Sequence, residues 1–308
     1  MAENFPDVSV KIGSMILKNP VTVASGTAGY GEELSGFFDI SKLGALITKG
    51  LSVKPRPGNK GSRICETPSG MLNSIGLENV GIEQFIEKKM PFLRDAGAAV
   101  IANAAGHSVD ENVELCSILS SVEGVSAIEL NVSCPNVKEG GMAFGTNLPV
   151  FTDLLEKCRR AASIPLIVKL SPNVTSIAEF AARAEETGAD ALSAVNTFLG
   201  MKIDIKNRRP YFNNRFAGLS GPAIKPMAVR CVYQIYEAVS IPVIGLGGIA
   251  SLEDVIEFIM AGAAAVSVGT MNMIDPMLAL RLTDELAEYM NSNGITEISG
   301  LTGSAHPQ

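Results

Sequence analysis

Residues 242–270 read PVIGLGGIASLEDVIEFIMAGAAAVSVGT. An apolar run (242–248) stops at two glycines, a helix-like stretch (251–261) follows, and a second apolar run (265–270) ends in Gly269-Thr270. Neither run alternates apolar with polar residues. Each therefore reads as a strand buried on both faces, the mark of a parallel sheet covered by helices. Toward the N-terminus the same unit recurs at VTVAS (21–25), ALITKG (45–50), AVIANAAG (99–106), AIELNVS (127–133), PLIVKLS (165–171) and ALSAVNT (191–197), eight runs in all. Helix-like segments at 82–96, 110–122, 147–162, 176–187 and 222–239 separate them, and 276–292 closes the chain. Eight such units predict a closed (β/α)8 TIM barrel rather than an open sheet.

The chain has 308 residues, 46% of them hydrophobic, with no Trp and 30 Gly, a mix that suits short buried strands and closely packed helices. No linker or low-complexity tract interrupts it, so residues 1–308 are expected to form a single domain. A net charge of −7 with both signs dispersed argues against a nucleic-acid partner. The N-terminus MAENFPDVSVKIGSM carries charges where a secretory signal needs an apolar stretch. The longest uncharged run, 258–274, is broken by Gly, Ser, Thr and Asn and is too short for a membrane span. A cytoplasmic location is expected. Five cysteines (Cys65, Cys116, Cys134, Cys158, Cys231) show no cluster spacing and are odd in number, which indicates neither a disulfide framework nor an iron–sulfur site.

Three connections, 51–80, 134–146 and 198–221, are longer than a barrel requires, and all follow strands: the second, fourth and sixth. Loops after strands form the active-site face of this architecture. Residues 5–18 read as a small hairpin turning at Gly13-Ser14, expected on the opposite face.

The polar residues that end the runs are Ser25, Lys49, Asn103, Asn131, Lys169, Asn196, Gly247-Gly248 and Gly269-Thr270. They should ring one mouth. Singly, each is an ordinary strand end or turn former. Two lysines aimed into a barrel mouth, however, need an anion or lose their charge, and they point to an anionic ligand. The glycine pairs after strands seven and eight, each before a helix start, suit a phosphate. Gly245-Leu-Gly247-Gly248-Ile-Ala250 formally matches a dinucleotide fingerprint, but Ala265-Val-Ser-Val stands where that site needs an acid, so a Rossmann site is rejected. A phosphate-bearing cofactor across Lys169 and the amides suits flavin mononucleotide, whose reduced ring a fixed lysine stabilises.

TKGL (48–51), NSIGLEN (73–79), LNVSCPNVKEGG (130–141), VNTFLGMKID (195–204) and GLSGPAIKP (218–226) closely resemble the dihydroorotate dehydrogenases of pyrimidine biosynthesis. The likeness spans nearly the whole chain. VKEGGMAFGT is typical of the catalytic subunit of the NAD-linked, two-subunit class (class 1B). The resemblance implies oxidation of (S)-dihydroorotate to orotate on the route to UMP, with a hydride passing from C6 to FMN and a base taking a proton from C5. Cys134 matches the family's base; a thiol with a free pKa of about 8.5 is suited to that task near neutrality. Implied FMN contacts are Ser25, Lys49, Gly50, Asn103, Asn131, Lys169, Val195, Gly221, Gly247, Gly248, Gly269 and Thr270. Implied substrate contacts are Lys49, Asn73, Ser74, Ile75, Gly76, Leu77, Asn131, Asn196 and Thr197, with no metal. The class further implies an electron-transfer subunit carrying FAD and a [2Fe-2S] cluster, around a homodimer of this chain at the centre of a heterotetramer, away from any membrane. Three rival readings are a dihydropyrimidine dehydrogenase-like pyrimidine reductase, the fumarate-linked class 1A enzyme and a Schiff-base aldolase using Lys169. A fourth is a non-enzymatic barrel serving as a structural subunit.

Overall fold

Eight parallel strands close on themselves in chain order: β1 (Val21–Val23), β2 (Ala45–Ile47), β3 (Val100–Ala104), β4 (Val125–Asn131), β5 (Leu166–Lys169), β6 (Ala191–Ala194), β7 (Val243–Leu246) and β8 (Ala265–Val268), with β8 pairing back onto β1. This is the expected (β/α)8 barrel, seen in a computed structural model that describes residues 6–133, 135–136 and 142–307. The strands are shorter than the apolar runs because each run continues past the last ladder bond into the loop at the C-terminal mouth. Those overhanging residues build the site.

The covering helices follow from local sequence. In Leu148–Ala161, Phe151, Leu154, Leu155 and Cys158 recur at helical spacing and are buried, while Asp153 and Lys157 pair on the outer face. Ser108, Asn147, Ser176 and Ser251 each cap a helix by accepting a backbone N–H in its first turn. The segment read as one helix over 82–96 is Gly81–Gln84 and Met90–Asp95 joined by a wider π turn at Phe85–Lys89. Among the described residues no helix is long and apolar enough to cross a membrane.

The hairpin at the N-terminus forms as read, Val10–Ile12 against Met15–Leu17. Its turn at Gly13, φ +58°, lies against Asp190 and Pro165, which precede β6 and β5, so it covers the N-terminal end of the barrel. The long connections after β2 and β6 are not separate loops. They supply two strands each to one antiparallel sheet, ordered Phe198–Met201, Phe216–Ser220, Gly70–Asn73, Ile64–Thr67, with its own small core of Leu72, Phe212 and Ala217. This sheet walls one side of the C-terminal mouth.

Candidate active site

Inside the barrel the apolar layers give way, near the C-terminal ends of the strands, to buried polar side chains: Asn103, Glu129, Lys169, Ser193 and Ser267. Glu129 lies at their centre. Its Oε1 accepts from Asn103 Nδ2 at 2.6 Å and from Lys169 Nζ at 3.3 Å, and its Oε2 accepts from Ser193 Oγ at 2.8 Å. The Lys169 side chain is 6% exposed and that of Glu129 0%, so this is an ion pair withdrawn from water. The sequence argument that Lys169 lacks an anion is thereby corrected: its counter-ion is Glu129, one strand away. The argument still holds for Lys49, whose Nζ meets no carboxylate among the described residues.

Above this floor is a cavity of about 660 Å³. Of the predicted positions, Ser25, Lys49, Gly50, Asn131, Lys169, Val195, Asn196, Thr197, Gly221, Gly247, Gly248, Gly269 and Thr270 all line it, as does Asn73 to Leu77. Asn103 does not; it is fully buried, bonded to Glu129 below, with its Oδ1 unpartnered among the described residues. Cys134 lies outside the described residues. Before it, Ser133 N donates to Asn131 Oδ1; after it, Pro135–Asn136 pairs antiparallel with Met142–Ala143.

At one end of the cavity the amides are oriented by each other. Asn131 Oδ1 accepts from Asn196 Nδ2 at 3.2 Å and from Ser133 N at 3.2 Å, and Asn196 Oδ1 accepts from Thr197 N at 2.8 Å. With both acceptors committed, Asn131 Nδ2 has no protein acceptor among the described residues and faces the cavity as a donor. Asn73 Nδ2 bonds the Gly218 carbonyl at 3.3 Å, across the antiparallel sheet. The following turn runs through two positive φ values, Gly76 at +77° and Leu77 at +55°. Asn59 holds it: its N–H donates to the Ile75 carbonyl and its Nδ2 to the Ser74 carbonyl and Oγ. A leucine in the left-handed region is costly and persists only where its surroundings fix it, as they commonly do at binding sites.

The other end is lined by glycines. A Cβ on Gly248, φ +90°, would lie 2.8 Å from the Lys225 amide nitrogen, and one on Gly221, φ +96°, 2.7 Å from the Gly70 Cα. Gly269 differs, because its Cβ would meet nothing nearer than Ala24 Cβ at 3.7 Å. Thr270 Oγ1 donates to Ser220 Oγ at 2.8 Å and so ties the β8 turn to the antiparallel sheet. The nearby Lys225 is committed to Asp254 and Glu257 at 2.8 and 2.6 Å, hydrogen bonds that raise its pKa, the Asp254 one most. An anion here would thus meet backbone N–H groups rather than an ammonium.

A flavin mononucleotide fits these residues. The volume is within the usual range of cofactor sites, about 300–1,000 Å³. The buried hydroxyls of Ser133 and Ser267 line the cavity and lack partners among the described residues. Among the described residues no grouping of His, Cys, Asp and Glu suits a metal ion. Cys116, Cys158 and Cys231 are buried packing thiols, and the Cys158 thiol is pushed up by its hydrogen bond with Cys116 and by burial. Cys65 is half-exposed; it packs against the small core of Leu72, Phe212 and Ala217 and accepts from Lys202 Nζ at 2.9 Å.

Sequence reading missed Glu129, Asn59 and Asn173. Glu129 left a signal, a single acid inside the apolar run AIELNVS. Asn173 donates to the Thr197 carbonyl and accepts from Leu199 N, bracing the start of the antiparallel sheet, but nothing in its sequence context predicts this.

The family model described as dihydroorotate dehydrogenase matches residues 7–290. Similar proteins include those of Trichlorobacter lovleyi, Geobacter metallireducens and Geotalea uraniireducens, 53%, 52% and 49% identical over 299 residues. Each alignment covers 97% of this chain and 98% of the relative, and each relative is named dihydroorotate dehydrogenase B (NAD(+)), catalytic subunit.

Proposed function

Because the chain belongs to the dihydroorotate dehydrogenase family, we propose that its C-terminal cavity oxidises (S)-dihydroorotate to orotate, with FMN as the resident cofactor and NAD⁺ as the final acceptor. It is an oxidoreductase of pyrimidine biosynthesis, and relatives named as NAD-linked catalytic subunits favour that class over the fumarate-linked and pyrimidine-reducing alternatives. The observation that carries the assignment is one cavity lined by Lys49, a cation with no carboxylate partner among the described residues, by the Asn131–Asn196–Thr197 amide network, and by Lys169 at its floor.

Bound FMN supplies the hydride acceptor. The chain's residues do the rest. Gly247, Gly248, Gly269 and Thr270 offer N–H groups to the phosphate, helped by Ser25, Gly50, Val195 and Gly221 along the cofactor. Lys169 sets a positive charge where negative charge builds on reduction. Lys49 and the Asn73–Leu77 turn bind the substrate carboxylate, while Asn131, Asn196 and Thr197 match the alternating N–H and C=O edge of the pyrimidine. Cys134 takes the C5 proton as the C6 hydride departs, which balances the loss of two hydrogens. Residues 1–308 act as one FMN-binding domain in the cytoplasm, as the homodimeric core of a heterotetramer. The partner subunit, carrying FAD and [2Fe-2S], receives the electrons; the phrase "catalytic subunit" in the relatives' names supports such a partner.

The test is anaerobic. FMN-loaded protein mixed with dihydroorotate should bleach in the visible and release orotate in equal amount. A protein that binds no flavin, or whose flavin stays oxidised, sinks the reading.

A further inference from the structure

We infer that Glu129 is a positioning residue that both aims Lys169 and offsets its charge, and so sets the reduction potential of the flavin held above it. This rests on the cofactor reading just given. Stability does not explain the carboxylate. β4 would bury Val or Ile at this position at no desolvation cost, whereas an ionised carboxylate in a barrel core is tolerated only when fully partnered. Here three strands converge to partner it: Asn103 from β3, Lys169 from β5 and Ser193 from β6.

The geometry has two consequences. Oε1 takes one donor of the ammonium from below, so the remaining donors of Lys169, which lines the cavity, point upward. Glu129 also adds a negative charge 3.3 Å from Nζ, where little solvent screens it. The flavin then faces a nearly neutral pair rather than a lone cation. A neutral amide at 129 would keep the shape and remove the offset, which favours the reduced, more negative cofactor. Deleting the Ser193 hydroxyl would do the opposite, since its O–H dipole is what partly balances Oε2.

The experiment is a spectroelectrochemical titration of the FMN-loaded chain, together with dissociation constants for oxidised and reduced FMN. Glu129→Gln is expected to favour the reduced form at least tenfold, an upward shift of about 30 mV for a two-electron couple. By linkage, the same factor must appear as tighter binding of reduced relative to oxidised FMN. Glu129→Asp, which restores the charge, should return most of the shift, and Ser193→Ala should move the potential downward. An FMN-loaded Glu129→Gln protein with the wild-type potential overturns the proposal while leaving the cofactor reading intact. If that variant does not fold, Ser193→Ala decides, and a wild-type potential in it overturns the proposal. A wild-type chain that binds no FMN removes the cofactor reading and this proposal together.

Discussion

Lys49, after β2, and Lys169, at the end of β5, line one barrel mouth, yet among the described residues only Lys169 meets a carboxylate of the protein. In the proposed reaction the difference gives them different work: Lys169, balanced by Glu129, would answer a charge that appears only on reduction, whereas Lys49 is left for a ligand that arrives already charged. Lys49→Met should therefore weaken orotate binding by about 1.5–3 kcal/mol, the range for a hydrogen bond to a charged group. Uracil, which lacks the carboxylate, should bind poorly to both proteins and equally. Titrations following the flavin spectrum check this, and equal losses for both ligands would move Lys49 from the carboxylate to the ring. Cys134 is the second residue-scale case. Cys134→Ala should abolish flavin reduction by dihydroorotate while orotate still binds. Cys134→Ser should keep slight activity that climbs with pH, because a hydroxyl is a far weaker base than a thiol near neutrality. Stopped-flow reduction across a pH series distinguishes them, and a serine variant with the wild-type profile would remove Cys134 as the base.

At the scale of elements, the glycine turns after β7 and β8 look alike in sequence but are held differently. Gly248→Ala forces a side chain into a left-handed residue and to within 2.8 Å of a backbone nitrogen. It should cost about 1–3 kcal/mol of stability and FMN affinity with it. Gly269→Ala, whose Cβ would meet nothing nearer than Ala24 Cβ at 3.7 Å, should lower the melting temperature less than Gly248→Ala while still weakening FMN binding. Thermal melts and FMN fluorescence quenching on both variants test the pair; unchanged FMN affinity in Gly269→Ala would take that turn away from the phosphate. The same elements show what sequence makes legible. Barrel strands such as residues 166–168 announce themselves because a strand buried on both faces is apolar along most of its length, and the mouth residues because polar side chains gather at the strand ends. The sheet joining Gly70–Asn73 to Phe216–Ser220 was illegible, since its pairing spans residues far apart in the chain and its strands are half-exposed. Asn103 was placed in the right ring but at the wrong depth: its strand position is plain from sequence, whereas its turn toward Glu129 depends on a partner on the next strand.

For the whole molecule, the question is how electrons leave a cavity enclosed by its own barrel. Ala265-Val-Ser-Val stands where a dinucleotide site would need its acid, and among the described residues no grouping would hold a metal centre. In the proposed reaction NAD⁺ is therefore reduced on a second polypeptide, the partner that the relatives' name "catalytic subunit" implies. The connection after β6 leaves apolar side chains open to water: Leu199, at the cavity edge, Ile203 and Ile205 are 65%, 49% and 84% exposed. In the proposed assembly another copy of the chain covers these side chains and the electron-transfer subunit joins that core. The FMN-loaded chain alone should reduce an artificial dye with dihydroorotate at a steady rate and give no NADH. Addition of the electron-transfer subunit, coexpressed from the same cell, should restore NAD⁺ reduction, and light scattering should show the isolated chain as a dimer. Substituting Ile205→Glu should shift that dimer toward monomer while leaving single-turnover flavin reduction intact, because the residue is remote from the cavity lining. NADH formed by the purified single chain would overturn the partner requirement, and fumarate consumption by it would place the chain with the partner-free enzymes of its family.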